Sequence, residues 1–360
     1  MKNKKKKFIF LNKLKTFFIR KNLKNDRFKE AISVIPKITN DTIGEHRENV
    51  LKGARKYIYP LRHSQHNIVR ISVGLFVSLL VAFFIFMGLE LYYFQSQSTF
   101  VYDVTKVIPF PVAKIGNNFV SYQSYLFELR RDVHYYETQQ QVNFSLKINQ
   151  LQLQNLKKEA MSEAITNFYT QQLATKYHLS VSNNQVNQEV IYFQKENRLG
   201  GNNEVLSNVL KDFWGWNIND FKQELKNELL QQAVVYKLDT PTVNLAKSVL
   251  SQLQHGANFA SLAKKYSDDL STKNNGGQYP QPILANNKNL YPQVVAELFS
   301  LKKDAISPII NTGYNLPILK VDSINGPTVT FSNIEFNLKN INFYITPIEK
   351  LSPPDYLINF

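Results

Sequence analysis

An uninterrupted apolar run, ISVGLFVSLLVAFFIFMGL from Ile71 to Leu89, constrains this chain more than any other feature. It holds 19 residues without a charge, close to the roughly 20 that a helix needs to cross about 30 Å of hydrocarbon. A buried core helix is the alternative, but core helices are seldom so long and so uniformly apolar. Because aromatic residues follow the run at the level expected of a membrane interface, residues 71–94 are predicted to form one transmembrane helix.

The charge distribution predicts the orientation of that helix. Residues 1–70 hold 19 Lys and Arg against 5 Asp and Glu, in a chain whose total net charge is +15. By the positive-inside rule, residues 1–70 form a basic cytoplasmic arm, and the main domains, from residue 95 onward, are extracytoplasmic. A cleaved signal peptide is not expected, because the apolar run begins only at Ile71. The expected location is therefore that of a single-pass membrane protein.

The basic arm has three possible roles. It mixes lysine with Phe, Ile and Leu and could lie as an amphipathic helix on anionic lipid. It could also be a solvated, disordered extension or a tail that binds nucleic acid. Membrane lipid is the expected partner and nucleic acid is not, since no nucleic-acid fold signature accompanies the arm.

Several chemistries are excluded by absent residues. The chain contains no cysteine, which removes disulfides, thiolate nucleophiles and cysteine-ligated metals. It also lacks a P-loop, a G-x-G-x-x-G fingerprint and a G-x-S-x-G nucleophile motif. The pair His63-x-x-His66 is a weak metal signal on the cytoplasmic side. No cofactor and no metal site are predicted.

Residues 95–240 are predicted to form a mostly helical module. Val112 to Ile115 is typical of a short strand, followed by a Gly-Asn-Asn turn and a helix capped by Ser121 or Ser124. Apolar residues recur at helical spacing from Ile165 onward, and Ser182 with Gln185 forms a capping box. The aromatic group in DFWGWNINDF belongs either to the core or to a surface that binds clients.

Residues 241–336 predict an α+β domain, a small antiparallel sheet covered by helices. One helix ends near Gly256, Asn258 caps a second, and strand-like runs follow a short helix that carries Val294 and Phe299. The segments GANFASLAKKYSDDLSTKNNGG and AELFSLKKDAISPIINT resemble the two signatures of the parvulin (PpiC) family of peptidyl-prolyl cis-trans isomerases. With the helical module and the membrane anchor, the chain resembles the SurA, PrsA and PpiD type of foldase. Residues 337–360 remain as a C-terminal extension.

The parvulin resemblance implies a proline pocket beside a few polar groups. It places Asp269 at the family's cysteine-or-aspartate position and Thr312 at its conserved threonine. Leu290 and Val294 fall at apolar pocket positions, and Tyr279 and Phe299 complete the predicted substrate-binding set. Asn333, in TVTFSNIEF, stands in the place of the first family histidine, as if a strand from the C-terminal side filled that slot. Asp269 and Asn333 are thus the candidate catalytic residues, although Asp269 could instead only cap a turn.

The active-site pattern diverges from the family. None of the six histidines lies between residues 256 and 360, and Pro317 occupies the position of the second family histidine. The chain is therefore either a parvulin-type isomerase of altered site, or a non-catalytic holdase that uses the same fold to bind clients. In both cases the expected partners are unfolded or proline-containing polypeptides. A third hypothesis is a membrane tether that acts through its basic arm; the oligomeric state is not predicted.

Overall fold

The computed structural model describes residues 47, 50–54, 57, 61–196 and 202–360. They belong to two compact units, Met1–Ile85 and Phe86–Phe360. Most of the predicted basic arm, residues 1–70, lies outside the described residues. The predicted boundaries at residues 94, 240 and 336 fall within the second unit and stay predictions.

A long helix and the turn that follows it contain the charge-free apolar run Ile71–Leu89. Helix α1 spans Leu61–Gly88 and continues into a π-helical turn, Leu89–Tyr93. Within its stretch Ile68–Tyr93, an 18-residue window has a mean hydropathy of 2.5, and only 6% of that window is buried. Because this segment is exposed, it is not a buried core helix. Its length and composition fit a membrane span. It is the one candidate span among the described residues.

The predicted helical module follows α1. Its helices begin at polar caps: the side chains of Ser98, Ser121, Asn202 and Asn217 each accept a backbone N–H from the first turn. Ser182 and Gln185 form the predicted capping box. The elements, in chain order, are α2 Thr99–Val107, β1 Pro111–Ile115, β2 Asn118–Ser121, α3 Tyr122–Thr138, a 3-10 turn Lys147–Asn149, α4 Gln150–Lys176, α5 Asn183–Glu196, α6 Asn203–Trp214 and α7 Ile218–Leu238.

A buried ionic cluster joins three helices of the module. The Arg131 guanidinium of α3 lies 2.7 Å from the Glu128 carboxylate, 2.9 Å from Glu163 of α4 and 3.8 Å from Glu224 of α7. Burial raises the pKa of Glu128, which is 2% exposed, and also that of Glu224. Removing one partner would leave a buried charge without compensation, so the cluster fixes how these helices meet.

The aromatic group of DFWGWNINDF belongs mainly to the core. The indole of Trp216 is 8% exposed and stacks on Phe127, with ring centroids 5.1 Å apart. Phe221 is 4% exposed, whereas Phe213 remains 43% exposed. The core alternative therefore holds for Trp216 and Phe221.

The C-terminal extension returns to the helical module. Helix α11, Ile341–Leu351, packs against α4 and α7. Strand β6, Asp355–Tyr356, pairs antiparallel with β1 to complete a three-stranded sheet of order β2-β1-β6. The hydroxyl of Tyr169 on α4 donates to the Ser352 carbonyl at 2.7 Å. Residues 341–360 thus pack against elements of the predicted helical module, so the predicted α+β domain, called the inserted domain below, lies between these elements along the chain.

The inserted domain is a small sheet between two apolar clusters. Its sheet has the order β3-β5-β4, with β5 in the centre and antiparallel to both neighbours. The first cluster packs α8 and α9 on one face, and the second packs α10 on the other. The predicted fold class, helical module plus α+β domain with small antiparallel sheets, is confirmed. The elements are α8 Thr240–Gln254, α9 Phe259–Tyr266, a 3-10 turn Lys273–Asn275, β3 Ile283–Leu284, α10 Pro292–Ser300, β4 Ile318–Asn325 and β5 Thr328–Ile334.

If residues 341–360 stabilise the helical module, Ile345→Ala should destabilise that module selectively. Ile345 is 2% exposed, and truncating a buried isoleucine costs about 2–5 kcal/mol. Both tryptophans of the chain, Trp214 and Trp216, lie in the module, so urea unfolding followed by tryptophan fluorescence reports on it.

Leu351→Ala is the matched control, since Leu351 lies in the same helix but is 87% exposed. Its free energy of unfolding, obtained from the same fluorescence transition, should stay within about 0.5 kcal/mol of that of the natural chain. Equal transitions for the two variants would show that α11 does not support the module.

Candidate functional site

The central strand β5 and the residues that follow it present different side chains on their two faces. Side chains alternate between the faces of a strand, so Ile334 and Phe336 enter the cluster under α8 and α9, while Phe331 joins the cluster on the opposite face. Asn333 follows Phe331 on that second face, and Glu335 continues the alternation beyond the strand end. The sequence TVTFSNIEF therefore places an amide and a carboxyl group beside an apolar surface.

The loop that carries Asp269 holds this carboxylate in a turn. One Asp269 oxygen accepts hydrogen bonds from the Ser271 backbone N–H at 3.0 Å and from its hydroxyl at 2.6 Å, and the other accepts from the Thr272 hydroxyl at 2.5 Å. Burial alone would raise the pKa of Asp269, but these hydrogen bonds outweigh it and lower the pKa below its ordinary value. The capping role weighed in the sequence analysis is thus present in the structure.

Asn333 and Glu335 form a pair that is joined to the same loop. The Asn333 amide donates to a Glu335 carboxylate oxygen at 3.3 Å, and the Ser267 hydroxyl accepts the backbone N–H groups of both Glu335 and Asp269. Asn333 is 7% exposed, and its Oδ1 is buried with no hydrogen-bond partner. Burial raises the pKa of Glu335. The pair thus combines an unpartnered acceptor with a carboxyl group that holds its proton to higher pH than usual.

Gly277 allows the loop to approach β5 closely. Its φ is +89°, and a Cβ there would lie 2.4 Å from the Asn333 carbonyl oxygen. The approach is closed by hydrogen bonds from Asn333 N–H to the Gly277 carbonyl at 2.8 Å and from Tyr279 N–H to the Phe331 carbonyl at 2.9 Å. Gly277 therefore allows the backbones of the loop and of β5 to come into contact, which only a residue without a side chain permits.

Thr312 is connected to the pair of Asn333 and Glu335 through Asn315. Its hydroxyl donates to the Asn315 side-chain oxygen at 2.6 Å and accepts the Asn315 backbone N–H at 3.1 Å. The Asn315 amide in turn hydrogen-bonds Glu335, which lowers the pKa of that carboxyl and opposes the larger effect of burial. Thr312, Asn333 and Asp269 thus belong to one hydrogen-bonded network that passes through Glu335 and Ser267.

The apolar residues predicted to hold substrate meet on the α10 face of the sheet. Tyr279, Leu290, Val294 and Phe299 pack into the same cluster as Phe331. Val294 is 5% exposed and lies in the floor of this cluster, whereas Tyr279, Leu290 and Phe299 are partly exposed. The Tyr279 ring stacks on Phe331 with centroids 4.7 Å apart, and Phe331 is only 1% exposed. A proline ring that binds at this cluster would contact Tyr279 rather than Val294 and Phe331, which lie beneath it.

A cleft of about 400 Å³ lies between the helical module and the inserted domain. Tyr291 and Tyr314 stack at 6.3 Å on its domain side and are 40% and 51% exposed. Tyr314 donates a hydrogen bond to Glu228 of α7, and the Gln293 side-chain oxygen is buried without a partner. Thr312 also lines the cleft, together with Gln185, Gln232 and Asn311. Side-chain amides and exposed aromatic rings thus both line the cleft, together with the carboxylates of Glu189 and Glu228.

Two contributors to the polar network were missed in the sequence. Glu335 lies two residues after Asn333, so strand alternation could have placed it on the same face. Asn315 carries no comparable signal, because its contact with Glu335 depends on a turn that Thr312 closes. At the position of the second family histidine, Pro317 precedes β4 and is buried, and it offers no side-chain donor.

The arrangement can hold an extended polypeptide and offer a limited set of hydrogen bonds. Rotation about an X–Pro bond has a barrier near 20 kcal/mol and breaks no covalent bond. A site that assists it needs an apolar surface for the ring and a polar group near the amide. Asn333 and Glu335 supply such groups, whereas the hydrogen bonds of Asp269 are committed to its own turn.

Comparison with known proteins gives two domain matches and partial relatives. Residues 235–323 match the family described as PPIC-type PPIASE domain, and residues 61–235 match the SurA-like N-terminal domain. A parvulin-like PPIase of Rickettsia typhi (strain ATCC VR-144 / Wilmington) is 29% identical over 119 residues, which cover 33% of this chain and 42% of that protein. Foldase protein PrsA 2 of Listeria innocua serovar 6a is 40% identical over 80 residues, 22% of this chain and 26% of that protein.

The matched segments thus span less than half the length of these two relatives. A crystal structure of the peptidylprolyl isomerase PrsA from Bacillus anthracis aligns over 52% of this chain and 86% of that chain at 23% identity. Its TM-score of 0.17 is too low to inform the fold. The two domain matches confirm the resemblances to the parvulin type and to the SurA-like module that the sequence motifs indicated.

If Asp269 stabilises its turn as a carboxylate, Asp269→Ala should lower stability by about 1 kcal/mol at pH 7, as for the loss of a capping side chain. Because the folded pKa is below the ordinary value of 3.8, this contribution is complete above that value and is lost as the pH falls through the folded pKa. Scanning calorimetry from pH 7 to pH 3 should show the natural and variant chains converging only at the acid end.

Asp269→Asn keeps a side-chain oxygen acceptor and is the matched control. It should lose less stability than the alanine variant at pH 7. A gap between the natural chain and Asp269→Ala that stayed constant down to pH 3 would contradict a role for the charged carboxylate.

Proposed function

We propose that this chain, which joins a SurA-like N-terminal domain to a PPIC-type domain and is related to parvulin-like isomerases and PrsA foldases, is a membrane-anchored foldase that binds unfolded polypeptides outside the cytoplasm. Its main activity is to hold client chains and limit their aggregation. The relatives' names support polypeptide clients, and the apolar helix α1 supports the anchor.

The cleft lined by Tyr291 and Tyr314 is the observation that carries this proposal. An extended polypeptide exposes backbone N–H and C=O groups that side-chain amides can pair, because an amide both donates and accepts. Exposed tyrosine rings add apolar contact at low cost in side-chain entropy. A wall of amides and tyrosines therefore binds many sequences without reading one in particular, which suits a chaperone.

Residual isomerase activity is a second candidate function. It is favoured by one specific arrangement: the Asn333 and Glu335 pair beside the partly exposed Tyr279 and Leu290. The loss of both family histidines weakens it, since positioned acid–base groups contribute about 10²–10⁴-fold to rate. The stacking of Tyr279 on Phe331 weakens it further by covering the floor of the apolar cluster.

The membrane location rests on α1 and the charge distribution. The apolar helix has the length of a span, and the positive charge on its N-terminal side favours a cytoplasmic arm. The helical module and the PPIC-type domain then lie on the opposite side of the membrane, where secreted polypeptides fold.

A refolding assay distinguishes holding from catalysis. With a client whose slow phase is limited by X–Pro isomerisation, an equimolar amount of this protein should suppress aggregation. Tyr314→Ala should weaken suppression about threefold to tenfold, as expected for the loss of an aromatic contact of roughly 1 kcal/mol. Phe119→Ala, which removes an exposed ring from β2, should leave it unchanged.

The same assay at catalytic amounts tests the second candidate. An acceleration of the slow phase that is lost in Asn333→Ala and Glu335→Gln, but retained in the exposed-strand control Asn325→Ala, would establish isomerisation. Neither suppression nor acceleration in the natural chain would refute the proposed function as a whole.

Topology can be measured with single cysteines, because the chain has none of its own. In intact cells, a membrane-impermeant maleimide should label Leu270→Cys, whose native side chain is 81% exposed. Asn3→Cys should react only after permeabilisation. Labelling of Asn3→Cys from outside intact cells would reverse the proposed orientation.

A further inference from the structure

The end of α1, from Phe86 onward, belongs to the second unit. Met87 and Leu91 are completely buried there. The Tyr122 hydroxyl donates to the Leu91 carbonyl, and the Tyr92 hydroxyl donates to the Pro111 carbonyl at 2.6 Å. These contacts join the last turns of the apolar helix to β1 and α3. Whatever packs against this stretch is therefore held at a defined level along the helix.

Helix α2 lies beside those last turns. The ring of Phe100, at the start of α2, contacts Phe86 with centroids 6.5 Å apart. Phe86 precedes the end of the apolar run at Leu89 by three residues, which is about 4.5 Å at 1.5 Å per residue. If the run fills the hydrocarbon of a bilayer, Phe100 lies within its outer edge rather than in water.

The outward face of α2 is apolar. Buried positions Val101, Tyr102 and Thr105 face the module, whereas Phe100 is 56% exposed and Val107 is 82% exposed. Phe100, Val104 and Val107 recur at the spacing of one helix face. Two large apolar groups so open to water are unfavourable unless another apolar phase covers them.

The charges on α2 are compatible with a membrane interface. Asp103 flanks the apolar stripe, and its carboxylate lies 3.4 Å from the Lys106 ammonium group. Lys106 also lies 4.1 Å from the centre of the Tyr102 ring. Asp103 is the single acid of α2, and Lys106, which also lies 3.8 Å from Asp220 of α7, partly offsets its charge near anionic lipid.

We propose that α2 is an interfacial helix that inserts Phe100, Val104 and Val107 into the outer leaflet of the bilayer that α1 crosses, docking the folded body on the membrane. The partner is a lipid surface. The inference rests on the proposed membrane span, and it adds a second, peripheral contact that the span alone does not require.

Site-directed spin labelling tests this contact in the full chain. Without native cysteines, Phe100→Cys and Val107→Cys each carry one nitroxide after reconstitution into vesicles of phosphatidylcholine and phosphatidylglycerol. Power saturation with oxygen and a water-soluble nickel chelate should place both labels in the lipid interface. The Phe100 label should be at least several-fold more accessible to oxygen, relative to the chelate, than a label in water.

Two further labels separate the possible failures. Leu80→Cys lies in the apolar run and reports the span itself. Leu270→Cys serves as the aqueous control. Helix α7 begins next to α2, since Asp220 lies 3.8 Å from Lys106. The inserted domain, which carries Leu270, begins at the other end of α7, about 30 Å away.

A Leu80 label in lipid with Phe100 and Val107 labels in water would overturn the docking alone. A Leu80 label in water would overturn the span, and the docking with it. Lipid contact at Val107 but not at Phe100 would contradict the depth inferred from the Phe86 contact.

Discussion

The inserted domain depends on one strand, β5, which is buried on both faces. Its neighbours on the two sides are β3 and β4, and Phe331 and Ile334 belong to different apolar clusters. A shift of one residue in its register would turn Ile334 and Phe336 towards the face that carries Phe331, and Asn333 with Glu335 towards the core under α8. The hairpin with β4 and the close approach of Gly277 both prevent that shift. The candidate site therefore exists only because the register of β5 is fixed.

Local features of this fold could be predicted from sequence, whereas contacts between distant segments could not. The caps at Ser121 and Asn258 and the apolar run of α1 are encoded by neighbouring residues, so pattern reading found them. The placement of Asn333 in the sheet was inferred only through a family resemblance. Strand β6 has two residues and pairs with a strand more than 240 residues earlier, which no local pattern could indicate. For Asp269, catalysis and turn capping call for the same residue type, and only the positions of Ser271 and Thr272 distinguish them.

The divergence predicted from the sequence would affect the two proposed activities unequally. Isomerisation requires a group at a defined position near one amide bond, so the predicted replacement of both family histidines would remove most of what the family places there. Holding an unfolded chain requires many weak contacts, each tolerant of small displacements. The amides and tyrosines of the cleft supply such contacts regardless of what occupies the histidine positions. Client binding would therefore tolerate a change of the catalytic residues, which is why we propose holding as the main activity.

The contacts between the end of the apolar segment and the second unit bear on the proposed function. A flexible linker would let the body sample a large volume, and the effective concentration of its cleft near an emerging chain would fall accordingly. Within the second unit, the hydrogen bonds Tyr122–Leu91 and Tyr92–Pro111, with Leu91 fully buried, hold residues 91 and 92 against β1 and α3. The length of α7, about 30 Å, then bounds how far the inserted domain lies from the end of the stem. Contact of α2 with lipid would restrict the remaining tilt of the body, so that the cleft faces a narrow zone next to the bilayer. For the proposed function, the contacts of Leu91 and Tyr92 are thus as relevant as the residues that line the cleft.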